Sequence, residues 1–282
     1  MSDPAGKSLS SSAGQTSMLS ALSRRLVRRP VLVTLTATLI VSLLLVAVPG
    51  LDLAVSGLFH VPGDGFPAER IGVLVDLREL GQAVVAAVAV AGLLALLVPL
   101  AACGARFVVP PRAGLFLLAT LILGPGLLVN SVLKDNWGRA RPRDVTAFGG
   151  DLPFTGPWAM VDHCARNCSF VSGEASSAIF LLAVAVLVPA GWRKATVIGT
   201  LLFALALSVN RIAFGGHFLS DVVIAWLLTL LVMLLVHAAV FAPSNPLTDD
   251  RIAMGLGRAG DAAKGFATRR LAAARRFLAL FR

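Results

Sequence analysis

The sequence contains few charged residues. Asp, Glu, Lys and Arg make up 14% of its 282 residues, whereas 57% are hydrophobic. Ordinary soluble domains carry about 25% charged residues. A soluble fold cannot bury that much apolar surface, so the composition excludes a soluble domain. The net charge of +10 arises from Lys and Arg at the termini and in short loops, which indicates membrane topology and argues against nucleic-acid binding.

Cysteine is scarce too, and no internal repeat is visible. The three cysteines are too few for a disulfide framework. Cys164 and Cys168 lie close together in one loop, a spacing that fits either a local bridge or two free thiols. The sequence contains no cluster with the spacing of metal ligands, and we expect neither a metal nor another cofactor.

The first 29 residues predict a disordered, basic cytoplasmic tail. They are rich in Ser and Gly at first and then carry Arg24, Arg25, Arg28 and Arg29. A cleaved signal peptide is the alternative. The apolar run after Pro30 is as long as a membrane-spanning helix requires, and no clear small-residue cleavage site follows it, which favours the tail.

Six apolar runs follow, each near the length of about 20 residues that an α-helix needs to cross a bilayer. They lie at residues 31–49, 81–102, 113–133, 170–190, 195–213 and 219–241. The short links at 103–112 and 191–194 force the helices that they join to be antiparallel neighbours. The sequence therefore predicts an all-α, polytopic membrane protein whose six transmembrane helices form one bundle over residues 30–242.

Basic residues set the predicted orientation. Seventeen of the 25 Lys and Arg residues fall in the two tails and in the links 103–112 and 191–194, and such residues accumulate on the cytoplasmic side. We therefore expect both termini in the cytoplasm and the bundle in a cell inner membrane. Five further basic residues crowd into one outer loop, against this bias: Lys134, Arg139, Arg141, Arg143 and Arg166. Charges in such a position need a function.

Residues 243–282 predict a basic amphipathic tail in the cytoplasm. Apolar side chains recur there at near-helical spacing between arginines: Phe266, Leu271, Ala274, Phe277, Leu278 and Phe281. Such a helix lies on the inner leaflet, with its apolar face among the lipid chains and its arginines near anionic headgroups. A solvated cationic tail is the alternative.

Three polar blocks stand at the outer ends of predicted spans, and we expect them to meet in one site. They are Lys134 and Arg141 after the third span, Ser172, Gly173 and Glu174 at the start of the fourth, and Arg211, His217 and Asp221 around the last turn. Ionisable groups at membrane depth cost at least a few kcal/mol unless they are paired or hydrated. Their presence at three helix ends therefore indicates a functional site.

His217 and Asp221 are the most constrained pair. They are four residues apart at a helix start, so they lie on one face. We expect Asp221 to hold one imidazole nitrogen, which leaves the other as a nucleophile or base. Gly215 and Gly216 allow a backbone or substrate to approach closely. A solvated or helix-capping histidine is the alternative.

The neighbouring residues suit a phosphate group. Lys134, Arg141 and Arg211 supply the positive charge that neutralises phosphoryl oxygens. Ser172 and Gly173 lie at a helix start, where unpaired amides and the positive end of the helix dipole bind anions. Together these residues predict a phosphate subsite beside His217.

These residues resemble the signatures of the type 2 phosphatidic acid phosphatase superfamily. The first signature, Lys, six residues, Arg-Pro, is matched in full from Lys134 to Pro142. The third, Ser-Arg, five residues, His, three residues, Asp, is matched from Asn210 to Asp221 in all but its first residue. Both spacings in order at helix ends are far rarer by chance than either alone. The resemblance covers residues 80–240.

The second signature, Pro-Ser-Gly-His, departs from the family, since the chain reads Val171, Ser172, Gly173, Glu174 here. The family uses that histidine as the general acid for the leaving group. We interpret Glu174 as its replacement, because a carboxylic acid that burial keeps protonated performs the same proton transfer. A catalytically silent position is the alternative.

The resemblance implies a metal-independent phosphatase with its site facing the periplasm. His217 attacks phosphorus, the lipid alcohol leaves, and water releases phosphate from the phosphohistidine. The long loop from Arg139 to Cys168 favours lipid A phosphate, because it can cover a bulky sugar headgroup. Undecaprenyl pyrophosphate, phosphatidylglycerol phosphate and a non-catalytic lipid-binding protein are the alternatives. The oligomeric state is left open.

Overall fold

Helices account for the regular structure of the chain. The computed structural model describes residues 29–279, except residues 106 and 244, and this part of the chain contains no β-strand. The predicted all-α fold is confirmed. The predicted disordered tail of residues 1–29 lies outside the described residues, apart from Arg29.

The main helices follow one another through the membrane and its surfaces. They are α1 (Pro30–Ala47), α2 (Gly50–Gly57), α3 (Gly72–Ala101), α4 (Pro111–Leu121, continued by a π-helix over Ile122–Lys134), α5 (Gly173–Phe180, continued by a 3₁₀-helix over Leu181–Val186), α6 (Ala190–Ala213), α7 (Leu219–Phe241) and α8 (Asp249–Ala279). Five of these units are long and apolar enough to cross a membrane: α1, α3, α4 with its π-helix, α6 and α7.

These five units correspond to five of the six predicted spans. The bounds of α7 coincide with the prediction, and those of α1 and α4 with its π-helix differ by at most two residues. α3 begins nine residues before the predicted 81–102, because Asp76, Arg78 and Glu79 lower the hydropathy of its first turns. α6 begins at Ala190, so the predicted link 191–194 is its first turn.

The fourth predicted span, residues 170–190, is shorter in the structure. Its α-helical part has 8 residues and its 3₁₀ part has 6, and together they rise about 24 Å. The hydrocarbon core of a bilayer is about 30 Å thick. This segment is surrounded by other helices, since α5 contacts α6, α7 and the π-helix. α5 is therefore the central element, and protein rather than lipid covers most of its surface.

Glycine permits a close helix contact that joins α3 to α4. A Cβ atom at Gly114 would lie 2.6 Å from Ala95 Cβ and 2.7 Å from the Gly92 carbonyl oxygen. Only a residue without a side chain allows the two backbones to approach so closely. This contact fixes α3, which borders the site, against α4.

The π-helix arises where the third span contains Pro125 between two glycines. Proline has no N–H for the helical ladder, and side chains take over part of the bonding. Asn130 Nδ2 donates to the Pro125 carbonyl at 2.8 Å, and Ser131 Oγ donates to the Gly126 carbonyl at 3.2 Å. The wide turns carry the chain to Lys134 at the end of the segment.

The outer loop between the π-helix and α5 is held by aromatic side chains. Trp158 packs edge to face on Phe170 and on Trp137, with ring centroids 4.9 and 5.8 Å apart. Cys164 and Cys168 form a disulfide, which resolves the choice that their spacing left open. The loop is thus fixed at both its ends.

α8 packs against the C-terminal end of α3. A side chain at Gly260 would overlap the Leu100 carbonyl, and Lys264 Nζ donates to the Ala101 carbonyl at 2.5 Å. Phe266 and Leu271 are exposed on the remaining surface. The tail is helical, as its spacing predicts, while its place on the inner leaflet stays a prediction.

We predict that Gly114→Val destabilises the fold. The added side chain collides with Ala95 and the Gly92 carbonyl, and overpacking of this kind costs about 1–3 kcal/mol. The thermal midpoint of the detergent-purified protein should fall by several degrees. Gly199→Val is the matched control, because nothing lies within 4 Å of a Cβ at Gly199 on α6. Equal midpoints for the two variants would contradict the proposed contact.

Candidate active site

The three polar blocks meet at one end of the bundle. Lys134, Gly173 and Glu174 line the same cavity. Arg211 Nε lies 3.1 Å from Glu174 Oε2, which joins the α6–α7 turn to the start of α5. His217 lies within electrostatic reach of Arg211 and Lys134. The structure therefore brings together residues that are up to 87 positions apart in the chain.

His217 is buried, with 1% of its surface exposed, and a backbone carbonyl holds one of its nitrogens. Its Nδ1 lies 2.8 Å from the Ser169 carbonyl oxygen. A carbonyl oxygen only accepts hydrogen bonds, so Nδ1 carries the hydrogen in the neutral imidazole. Nε2 therefore keeps its lone pair, as a nucleophile requires.

Asp221 does not hold His217 directly, in contrast to the prediction. Its Oδ2 lies 3.9 Å from His217 Nδ1, which is too long for a hydrogen bond. The same oxygen instead accepts from Ser169 Oγ at 2.6 Å and from the Phe218 N–H at 2.9 Å. Asp221 thus fixes the residue whose carbonyl fixes His217, and the spacing of four placed both side chains on one face without bringing them into contact.

A buried arginine holds the other oxygen of Asp221. Arg139 Nη1 donates to Asp221 Oδ1 at 2.6 Å and to Ser220 Oγ at 2.8 Å. Its Nη2 donates to Asp52 Oδ2 at 2.8 Å, and its Nε donates to the Thr155 carbonyl at 2.9 Å. The guanidinium is 0% exposed and is compensated by two carboxylates, as a buried charge must be.

Sequence reasoning missed four members of this network: Asp52, Ser169, Ser220 and the role of Arg139. Asp52 comes from the short helix α2 and accepts the Ser220 N–H at 2.8 Å, and nothing in its local sequence indicates this contact. Arg139 lies between Lys134 and Arg141 of the first signature. Its position in a loop with too many basic residues was the available signal.

The predicted phosphate ligands keep unused hydrogen-bond donors. Arg141 uses one donor within the protein: its Nη2 donates to the Asn167 carbonyl at 2.6 Å. Lys134 Nζ has no hydrogen-bond or ion-pair partner within the described part of the chain. Gly216 gives the Arg211 side chain its space, because a Cβ there would lie 2.6 Å from Arg211 Nη2. The close approach predicted for that glycine is made by the protein's own guanidinium.

Ser172 caps α5 and links it to α7. Its Oγ accepts the Ala175 N–H at 3.3 Å, and its own N–H donates to the Asp221 carbonyl at 3.1 Å. The amides of Gly173 and Glu174 come before Ser176, whose N–H donates to the Ser172 carbonyl at 3.0 Å, and they are free to bind an anion. The helix start is therefore built as predicted, with Ser172 positioning it.

Glu174 has surroundings that the sequence did not predict. Arg78 on α3 donates to both of its carboxylate oxygens: Nε at 3.0 and 3.1 Å, and Nη2 at 2.8 Å. Arg211 is a second cation at 3.1 Å. Both oxygens of Glu174 accept hydrogen bonds from a guanidinium, whereas a general acid donates a proton from one of its oxygens. The general-acid role of Glu174 stays a prediction.

A cavity of about 380 Å³ leads from these charges into the apolar part of the bundle. Arg78, Lys134 and Glu174 line it at one end, and side chains that include Val85 and Leu121 line it further along α3 and α4. Such a cavity accommodates a molecule with a charged group and an apolar chain.

Burial and nearby cations lower the pKa of His217. Removal from water disfavours the imidazolium form and holds the pKa well below its usual value, and the positive charges of Arg211, Lys134 and Arg141 lower it further. The hydrogen bond to the Ser169 carbonyl opposes this shift. His217 is therefore neutral at pH 7, the state in which Nε2 has a lone pair.

A protein-family model and curated relatives match this chain. A sequence model of the PAP2 superfamily matches residues 113–244. A lipid A 4'-phosphatase of Rhizobium leguminosarum is 37% identical over 199 residues, covering 66% of this chain and 85% of the relative. A lipid A 4'-phosphatase of Francisella tularensis subsp. novicida (strain U112) is 36% identical over 138 residues, covering 48% of this chain and 62% of the relative.

The fold is shared with a solved membrane phosphatase. The crystal structure of a transmembrane PAP2-type phosphatidylglycerolphosphate phosphatase from Bacillus subtilis aligns with a TM-score of 0.51 at 20% identity, over 77% of this chain and 98% of that one. Fold and relatives together define a membrane enzyme that hydrolyses phosphate monoesters. The chain belongs to the PAP2 superfamily, so the resemblance seen in the sequence is confirmed.

We predict that His217 titrates below the ordinary histidine value of about 6.5. As the pH falls, its neutral form should persist where an exposed histidine is already protonated. The measurement is an NMR titration of the protein with ¹³C-labelled histidine in detergent. The protein has four histidines, and the resonance that His217→Ala removes identifies this one. A midpoint at or above 6.5 would contradict the electrostatic argument.

We predict that Ser169→Ala lowers the kcat of phosphate release about ten- to hundredfold, with little change in KM. Loss of the hydroxyl breaks its bond to Asp221 and frees the carbonyl that orients His217, and small misplacements of a catalytic group have effects of this size. Ser56→Ala is the matched control, since Ser56 is also buried and its hydroxyl has no partner within the described residues. An unchanged kcat in Ser169→Ala would contradict the role of Ser169 in linking Asp221 to His217.

Proposed function

We propose that this protein removes a phosphate group from lipid A, with His217 as the nucleophile. The observation that carries the proposal is the hydrogen bond between His217 Nδ1 and the Ser169 carbonyl at 2.8 Å. This bond fixes the tautomer of a buried, neutral imidazole, so that the free lone pair is on Nε2. A group of cations with free donors lies nearby. This arrangement suits nucleophilic attack on a phosphate ester.

The reaction proceeds in two steps. Nε2 forms a bond to phosphorus while the bond from phosphorus to the lipid oxygen breaks, and water then attacks the phosphohistidine and restores the imidazole. Lys134, Arg141 and Arg211 neutralise the phosphoryl oxygens throughout. The Ser169 carbonyl stabilises the positive charge that Nδ1–H acquires during the first step.

The leaving oxygen departs with a proton, and the sequence assigns Glu174 as its donor. The two arginines at Glu174 support instead a side chain that binds both of them and positions other groups. The two roles differ in leaving-group dependence. A general acid matters most for a poor leaving group such as a lipid alcohol, whereas a positioning residue matters equally for all substrates.

A lipid substrate is supported by the cavity and by the relatives. The cavity offers charged groups at one end and apolar side chains along α3 and α4, as a phosphorylated lipid requires. The two curated relatives described above are lipid A 4'-phosphatases at 37% and 36% identity. The outer loop supports the same choice, since its disulfide and its tryptophans give it a fixed surface for a large headgroup. Undecaprenyl pyrophosphate and phosphatidylglycerol phosphate stay the alternatives.

We further propose that the site faces the periplasm from a cell inner membrane. The support is the distribution of Lys and Arg, of which seventeen lie in the tails and in the links at the opposite end of the predicted spans. On this orientation the substrate headgroup reaches His217 from the outer leaflet. Metal independence is part of the proposal and is tested with a chelator.

The test is release of inorganic phosphate by the detergent-purified protein in the presence of EDTA. Lipid A, phosphatidylglycerol phosphate, phosphatidic acid and undecaprenyl pyrophosphate are compared at equal concentration in mixed micelles. We expect the highest kcat/KM on lipid A. With ³²P-labelled lipid A, rapid quenching should trap the label on His217, because a histidine nucleophile forms a covalent intermediate.

His217→Ala should release no phosphate and take up no label, while its thermal midpoint stays near that of the wild type. His163→Ala is the control, because His163 lies in the outer loop and is in none of the three motifs. Preference for another lipid would replace lipid A as the substrate. Phosphate release that persists in His217→Ala, or that requires added metal, would refute the mechanism.

A further inference from the structure

Arg78 is an active-site neighbour that lies outside every matched motif. It is on α3, before the residues 113–244 that the family model covers, and 96 positions from Glu174 in the chain. Its Nε and Nη2 bind both oxygens of Glu174 at 2.8–3.1 Å. A two-pronged contact of this kind fixes the direction of both side chains.

Glu174 connects Arg78 to Arg211. Arg211 has a side chain that is 7% exposed, and its Nε lies 3.1 Å from Glu174 Oε2. This nitrogen has no hydrogen-bonded acceptor within the described part of the chain. A buried guanidinium needs a counter-ion nearby, and Glu174 supplies it. One carboxylate is therefore shared by an arginine of the phosphate subsite and by an arginine outside it.

A carboxylate beside a phosphate subsite has an electrostatic cost. Like charges a few ångströms apart repel strongly where water is partly excluded, so an unpaired Glu174 would oppose binding of a phosphate dianion. Arg78 brings one positive charge that cancels this effect. Its side chain is 40% exposed and lines the cavity together with Glu174 and Lys134, so the pair lies beside the predicted phosphate subsite.

We propose that Arg78 is a positioning residue of the active site: it neutralises and orients Glu174, so that Glu174 holds Arg211 without repelling the substrate phosphate. The inference rests on the proposed phosphatase function and extends it to a residue that no signature contains. It gives the position where the family has histidine a structural task, the contact with two arginines.

The test is a double-mutant cycle with neutral side chains of similar shape: Arg78→Gln, Glu174→Gln and the double variant. Two quantities are measured on the full-length protein in detergent. The first is the affinity for orthovanadate, an oxyanion of phosphate-like charge and shape, from the rise of the thermal midpoint with its concentration. The second is kcat and KM on the lipid that the wild type hydrolyses best.

Arg78→Gln should weaken orthovanadate binding about tenfold or more, since it leaves an unpaired carboxylate beside the anion. The double variant should recover most of that loss, because both charges are gone. Glu174→Gln alone should leave the affinity for orthovanadate unchanged or raise it. It should also reduce kcat, because Arg211 loses its orientation. Arg78→Lys keeps the charge but cannot form the two parallel hydrogen bonds of a guanidinium. Its affinity for orthovanadate should lie between those of the wild type and Arg78→Gln.

Arg70→Gln is the matched control. Arg70 forms an exposed ion pair with Asp64 just before α3, and its loss should change neither affinity nor kcat. Each variant's thermal midpoint without vanadate shows whether it is folded. Arg78→Lys serves as the test if Arg78→Gln does not fold.

Three results would overturn the inference. In the first, Arg78→Gln binds orthovanadate as tightly as Arg70→Gln. In the second, the double variant loses as much affinity as both single variants combined, so that the two residues do not act as a pair. In the third, Glu174→Gln slows hydrolysis of the lipid but not of an activated aryl phosphate, which identifies Glu174 as the acid. A wild type that hydrolyses no lipid would refute the proposed function alone, since vanadate affinity still decides the role of Arg78.

Discussion

The geometry of the site depends on one buried guanidinium between two carboxylates. Arg139 binds Asp221 of α7 and Asp52 of α2 from the outer loop. Removal of one partner of a buried ion pair costs about 3–5 kcal/mol, because the remaining charge is left without compensation. With Arg139 in place, Asp221 is fixed and keeps an oxygen for Ser169. The orientation of His217 is thus set by an ion pair that does not touch it.

The sequence predicted the parts of the molecule that local physics determines. Hydropathy indicates which segments cross a bilayer, and the predicted bounds of α7 therefore agree with the structure to the residue. The position of His217 at the start of that helix followed from the same prediction. Asp52 and Ser220 could not be paired in this way, because they are 168 positions apart. A single sequence carries no signal for a contact at such a separation. The indirect link from Asp221 through Ser169 to His217 could not be predicted for the same reason.

Hydropathy failed where function places charges inside a helix. The predicted span at 81–102 omitted the first turns of α3, since Asp76, Arg78 and Glu79 make them look like a loop. The same charges are what a site at the membrane surface requires. A helix end that hydropathy rejects is therefore a good place to search for missing site residues. Arg78 had no other signal, and its partner is in a different helix.

The charge at position 174 explains why Arg78 matters. The family signature has histidine there, a side chain that is neutral or positive, whereas this chain has Glu174. Replacing histidine by a carboxylate adds a negative charge to a site that must attract phosphate. Such a change is compatible with phosphate binding only if another cation compensates it, and Arg78 lies against that carboxylate. The departure in the second signature and the arginine on α3 are two halves of one electrostatic arrangement.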